Sequence, residues 1–149
     1  MSEFDQKAQE WDKNQMHLER TIAVARRLKE MVNITPGMKA MEFGAGTGLL
    51  SFYLKDLFSE ITLIDSSPEM LRMAGQKMES GDQLKFRTLC LDLETEEYTG
   101  DPFDIIYSQM VLHHEGFHDT AVSPCFIIRK EISADNIKEF PVFLMTARK

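Results

Sequence analysis

The run Glu42-Phe43-Gly44-Ala45-Gly46-Thr47-Gly48 places three glycines at alternate positions directly behind a short apolar segment. Glycine has no Cβ, so the chain can turn tightly there and a ligand can approach the backbone. A helix that starts behind such a turn offers free N–H groups to an anion or a polar group. The chemistry on offer is the binding of a nucleotide-like molecule at a strand-to-helix turn; the alternative is a tight turn that holds no ligand. A dinucleotide fingerprint reads G-x-G-x-x-G, but here the third glycine would fall on Leu49. No phosphate loop of the form G-x-x-x-x-G-K-[ST] occurs in the chain.

Asp65 ends a second apolar run about twenty residues further on, where a carboxylate can accept hydrogen bonds from both hydroxyls of a ribose. It also stands with Ser66 and Ser67 before a helix, so a capping role is the alternative. Met70, one turn into that helix, either lies on an adenine ring or packs in the core. Asp92 ends a third run and Ser108-Gln109 a fourth. For Asp92 the alternative is a loop acid in water. His113 and His114 follow the fourth run. A histidine there is a candidate general base for an oxygen or nitrogen nucleophile; the alternative is a helix start with one ring packed and one solvated.

The elements that must position these residues alternate. Residues 1–35 read as N-terminal helices, with Leu18, Ile22, Ala25, Leu28 and Val32 at helical spacing. Thr35-Pro36-Gly37 ends them. Residues 36–112 read as strand–helix units. Ala40–Phe43 is a strand, Leu49–Phe58 a helix and Ile61–Asp65 a strand. A helix capped by Ser67 with Pro68 in its first turn follows. Leu84–Leu91 and Phe103–Ser108 are further strands. Such alternation predicts an α/β fold with a mostly parallel sheet. Ligands of such sheets sit beyond the carboxyl ends of the strands. Residues 117–149 carry two strand-like runs, Ala121–Ile132 and Phe140–Ala147, that predict an antiparallel hairpin with Pro124 at a bulge or edge. The whole chain, 1–149, reads as one domain.

With Glu42 in front, the pattern E-x-G-x-G-x-G resembles the first motif of class I methyltransferases that depend on S-adenosylmethionine (SAM). The resemblance implies a Rossmann-like sheet with SAM as cofactor. It assigns Glu42, Phe43, Gly44, Ala45, Gly46, Thr47 and Gly48, together with Asp65, Ser66 and Met70, to cofactor binding. It implies that Asp92 contacts the adenine amino group and that Leu93 offers a backbone N–H. Ser108 and Gln109 would line the methionine part. Phe4-Asp5, Ala8 and Trp11-Asp12 resemble the N-terminal lid of small bacterial methyltransferases, and Trp11 either closes over the cofactor or packs the lid on the sheet.

The chain departs from that family after the fourth strand. It lacks a Leu-Lys-Pro-Gly-Gly-like turn, the fifth central strand and the helices that flank it. From His114 it passes to Gly116-Phe117, which resembles the end of the last helix, and then to the hairpin. Either the last strand then pairs with the fourth, or the fourth is left as an exposed edge, which invites association; a homodimer or segment exchange is one solution. The expectation is that SAM binds while methyl transfer is weakened.

The composition sets the remaining bounds. The 149 residues are 43% hydrophobic and 28% charged, with a formal net charge of -7, an ordinary globular balance. The acidic balance weighs against nucleic acid. Neither Cys90 nor Cys125 has a metal-ligand pattern around it, so no metal is expected, and both read as small buried thiols. No apolar run is long enough to span a membrane, and Met1–Asp5 does not look like a signal segment. The expected location is the cytoplasm, without a membrane partner. The leading reading is a SAM-dependent methyltransferase acting on a small-molecule acceptor. A SAM-binding remnant without turnover, serving as a sensor or interaction module, is the second. An NAD-dependent oxidoreductase is the third, disfavoured by the glycine spacing.

Overall fold

The computed structural model describes residues 10–93, 95–109, 121–133 and 136–146, the last two segments by their backbone. Helix α1 spans Gln15–Met31, and the Asn14 side chain caps it by accepting from Met16 N–H. Its buried face carries Arg20, Thr21, Val24, Ala25 and Leu28. Of the expected apolar stripe, Ala25 and Leu28 are buried, Leu18 is half-buried and Val32 packs against the core, whereas Ile22 is exposed. A polar pair, Arg20 and Thr21, shares the inward face.

Four strands follow: β1 (Lys39–Phe43), β2 (Glu60–Asp65), β3 (Phe86–Cys90) and β4 (Ile105–Ser108). They form one parallel sheet in the order β3-β2-β1-β4. β2 lies on one side of β1 and β4 on the other, so the strand order reverses at β1, the place where ligands of open α/β sheets sit. The register aligns Phe43 with Ile64 and with Ser108, and Asp65 with Cys90. All four carboxyl ends thus share one edge.

The connections differ in detail from the sequence reading. The helix after the glycine loop, α2 (Leu49–Leu54), is short and tightens into a 3-10 turn at Lys55–Leu57. Helix α3 (Pro68–Lys77) starts as expected, with Ser67 accepting from Met70 N–H and a proline in the first turn. A 3-10 turn at Asp82–Leu84 takes the first residues of the expected third strand. Leu84 is 91% exposed there, although the pattern placed it inside.

The core joins Val24, Ala25 and Leu28 of α1 with Leu50 and Leu54 of α2, Ala40 of β1, Ile61 and Leu63 of β2, and Phe58. Each fully buried aliphatic side chain of this kind contributes roughly 1.5–3 kcal/mol. Phe52 packs on Phe86 with ring centroids 4.8 Å apart, and Phe58 stacks on Tyr107 at 6.1 Å.

The chain ends in a two-stranded antiparallel sheet, β5 (Ala121–Ser133) with β6 (Asn136–Thr146). Its register breaks at Pro124/Phe126, as a proline in a ladder requires, and at Glu131/Ser133. β6 passes near β4 without joining its ladder. Among the described residues no fifth parallel strand follows β4. Cys90 corrects the expectation of a buried thiol: it is exposed. His113, His114 and Gly116-Phe117 lie outside the described residues, as do Phe4, Asp5 and Ala8. No helix among the described residues is long and apolar enough to cross a membrane, and no three of their His, Cys, Asp or Glu side chains group as a metal site.

Candidate functional site: a cleft over the glycine loop

Gly44, Gly46 and Gly48 all take positive φ, at 62°, 55° and 72°, the left-handed region that side chains avoid. A Cβ on Gly48 would stand 2.9 Å from Leu63 Cδ1, so that glycine is needed for close packing on β2 as well as for its dihedral angle. The loop is tied to β2 by two hydrogen bonds: Ala45 N–H donates to Ile64 O at 2.9 Å and Gly46 N–H to Asp65 Oδ2 at 2.7 Å.

Asp65 therefore supports the loop directly. Its Oδ1 accepts from Ser67 N–H at 2.8 Å, fixing the turn into α3. Ser66 is exposed beside Asp65. Met70 is buried, with its sulfur 3.9 Å from where a Cβ on Gly46 would stand.

Behind the loop lies a buried polar chain. Ser51 donates to Glu42 Oε2 from both its N–H and its hydroxyl, and Ser51 Oγ is 2.8 Å from the Tyr107 hydroxyl. Glu42 thus takes up one of the N–H groups at the start of α2, which a sequence reading would leave for a ligand. Burial pushes the Glu42 carboxyl up to about 8, against the hydrogen bonds from Ser51 that favour the charged form. Burial and the nearby Glu42 push the Tyr107 hydroxyl well above its ordinary value.

A cleft with about 370 Å³ of empty space, part of it open to solvent, lies over these groups. Its lining brings together Trp11, Glu42, Gly44, Ala45, Gly46, Thr47 and Gln109 of the residues singled out in the sequence. Phe43, Gly48, Asp65, Ser66, Met70, Asp92, Leu93 and Ser108 do not line it. Asp92 is held locally, its Oδ2 accepting from the Thr95 hydroxyl at 3.2 Å. Gln109 and Thr21 exchange hydrogen bonds at 3.1 and 3.2 Å, which ties the end of β4 to α1.

The cleft also contains Arg20, which sequence reasoning missed. Arg20 is 2% exposed, and its Nε has no hydrogen-bond partner. Burial pulls the guanidinium below its ordinary value, yet an arginine stays charged in a protein. The signal available in the sequence was its position: Arg20 shares a helical face with Val24 and Leu28, where a solvated charge does not belong. Ser108 Oγ is also buried without a partner.

A parallel sheet whose central strand ends in a three-glycine turn, with an acid at the end of the next strand, defines a Rossmann-like class I methyltransferase. The chain belongs to the methyltransferase domain family, which matches residues 40–126, and the methyl donor of that class is SAM. It is 31% identical over 80 residues to ubiquinone biosynthesis O-methyltransferase of Xanthomonas campestris, covering 53% of this chain and 33% of that protein. The chain thus spans about a third of that relative's length. In structure it resembles the mmp1179 protein of Methanococcus maripaludis, with a TM-score of 0.64 at 20% identity over 78% of this chain and 55% of that one. It also resembles an S-adenosylmethionine-dependent methyltransferase of Mesorhizobium loti, with a TM-score of 0.52 at 24% identity over 61% of this chain and 41% of that one. These two likenesses establish the shared fold.

The residues present fit that cofactor. A Cβ-free turn borders the cleft, a buried cation in it wants an anion, and the orphaned Ser108 hydroxyl at the end of β4 wants a partner.

Proposed function

We propose that this chain is the SAM-binding part of a methyltransferase that acts on a small-molecule acceptor. The observation that carries the reading is Arg20, a buried guanidinium with an unpartnered Nε beside the glycine loop. A buried donor without a partner costs about 1–3 kcal/mol, and a ligand carboxylate that accepts from it would offset that cost. The methionine part of SAM carries such a carboxylate.

Gly44 to Gly48 would admit the ligand against bare backbone, and the Asp65 carboxylate at the end of β2 would accept from the ribose hydroxyls. Ser66 and Met70 would border the adenosine. Asp92 and the Leu93 N–H would meet the adenine. Ser108 and Gln109 would line the methionine part, with Trp11 over the cleft. The bound cofactor supplies an electrophilic methyl group on a sulfonium. The protein's task is then to position that group and exclude water. The activity named for the Xanthomonas relative supports a small-molecule acceptor. The net charge of -7 speaks against nucleic acid.

A second reading is a SAM-binding module without turnover. It is favoured by the sheet itself, in which β4 is followed by a hairpin and not by another parallel strand among the described residues. A homodimer that covers the open side of β4 fits either reading. Titration calorimetry with SAM, S-adenosylhomocysteine and NAD tests the assignment. Saturable binding of the first two without NAD supports it, and NAD binding alone overturns it. Labelled methyl transfer to phenolic and amine acceptors then separates the two readings.

A further inference from the structure

One carboxylate outside the glycine loop joins three parts of the molecule. Asp12 lies in the segment before α1. Its Oδ1 accepts from the Thr47 hydroxyl, and its Oδ2 from Lys77 Nζ at 2.6 Å. Thr47 belongs to the loop and is buried. Lys77 is the last residue of α3, and its ammonium lies 5.1 Å from the centre of the Phe52 ring on α2. Asp12 thus straps the N-terminal segment to both the loop and the helix behind it.

The residue next to Asp12 is Trp11, which lines the cleft together with Gly44, Ala45 and Gly46. Trp11 is also held from the α1 side. Its ring lies 4.2 Å from the His17 ring, and its carbonyl accepts from His17 Nδ1 at 3.0 Å. The strap has little packing of its own: none of residues 10–14 is buried. Its position therefore depends on polar contacts, among them the ion pair with Lys77.

We propose that Lys77 is a positioning residue: through Asp12 it holds Trp11 against the glycine loop and so sets how fast a bound cofactor leaves. The inference rests on the reading of the cleft as the cofactor's site. The pair is partly open to water, with Lys77 and Asp12 side chains 30% and 31% exposed. Salt therefore weakens the latch, as it does any half-exposed ion pair.

Trp11 is the only tryptophan in the chain, so its fluorescence reports the strap with or without a ligand. Lys77→Met removes the ammonium and keeps the stem over Phe52. Its expected effect is a clear rise in acrylamide quenching of Trp11 in the ligand-free protein. Dissociation of S-adenosylhomocysteine should become up to about fivefold faster, the effect of losing one partly exposed ion pair. Raising salt to about 0.5 M should loosen the wild type and leave Lys77→Met unchanged. Lys77→Arg keeps the cation beside Asp12 and should retain the wild-type quenching and rate. Asp12→Asn replaces Lys77→Met if the latter does not fold.

Unchanged quenching in folded Lys77→Met overturns the proposal, as does a folded Lys77→Arg that loosens the strap as much as Lys77→Met. If the wild type binds no S-adenosylhomocysteine, the functional reading fails, while the quenching experiment still decides whether the latch exists.

Discussion

β1 and β2 bury Ala40, Met41, Glu42, Ile61, Thr62, Leu63 and Ile64, whereas β3 exposes every residue after Phe86, and β4 leaves Ile106 55% exposed. The two pairs belong to one parallel sheet, so the difference lies in what covers them. Helices α1 and α2 pack over the centre, and α3 lies across β2 and β3. The site divides along the same line. At the inner strands, Glu42 and Asp65 are fixed by bonds within the fold, and the loop between them is set before any ligand arrives. At the outer strands, Asp92 bonds within its own turn and Ser108 keeps an orphaned hydroxyl. Preformed geometry at the centre suits cofactor recognition; an unfinished rim suits a part of the site completed by something else.

The largest expected effect sets the two pairs directly against each other. Leu63→Ala on β2, at 0% exposure, should cost about 2–5 kcal/mol in urea unfolding. Ile106→Ala on β4 should cost less than about 1 kcal/mol. Equal losses would show that the outer strand is as well covered in solution as the inner one. The glycine loop comes next. Gly48→Ala introduces a Cβ 2.9 Å from Leu63 Cδ1 at a φ of 72°, and a loss of about 1–3 kcal/mol is expected. A Gly48→Ala variant as stable as the wild type would refute the close packing of loop on strand.

Glu42 gives a dependence on pH. Its folded value, about 8, lies above the ordinary 4.5. Between those values the folded state binds more protons than the unfolded state, so stability falls as the pH rises. The contribution is fully present below about 4.5 and lost as the pH climbs through about 8. Glu42→Gln should match the wild type at acid pH and exceed it in alkali by about 1–3 kcal/mol. Parallel melting curves for the two proteins across this range would remove Glu42 from the account. The smallest effect lies away from the site. Gly75 sits inside α3, and a Cβ there meets nothing within 4 Å. Gly75→Ala should stabilise by about 0.5–1 kcal/mol, the opposite sign to Gly48→Ala.

What the sequence made legible follows the same division. The glycine turn, β1, β2, the Ser67 cap and the Pro68 start are local patterns, and local rules fix them. The parallel order follows from the alternation of elements. Arg20 was legible only by its place four and eight residues before Val24 and Leu28, a signal that its charge outweighs in a reading by residue type. Ala25 and Leu28 of the expected stripe are buried, while Ile22 at its margin is exposed. The contacts of Asp12 with Thr47 and Lys77 span 35 and 65 residues of chain, and no local pattern encodes such a meeting. Cys90 looked buried because its neighbours Leu89 and Leu91 are apolar, yet β3 is the outer strand of its sheet and has no partner on its far side among the described residues.

The central claim is that the inner half of this sheet binds SAM through the glycine loop and Arg20. Its most direct test is calorimetric titration of S-adenosylhomocysteine into the wild type and into Arg20→Met, with folding of each confirmed by circular dichroism. The account predicts one saturable site in the wild type and at least tenfold weaker binding in the variant, the loss expected for a buried charge pair. A folded wild type that takes up no S-adenosylhomocysteine, or a folded variant that binds it as tightly as the wild type, would contradict the claim.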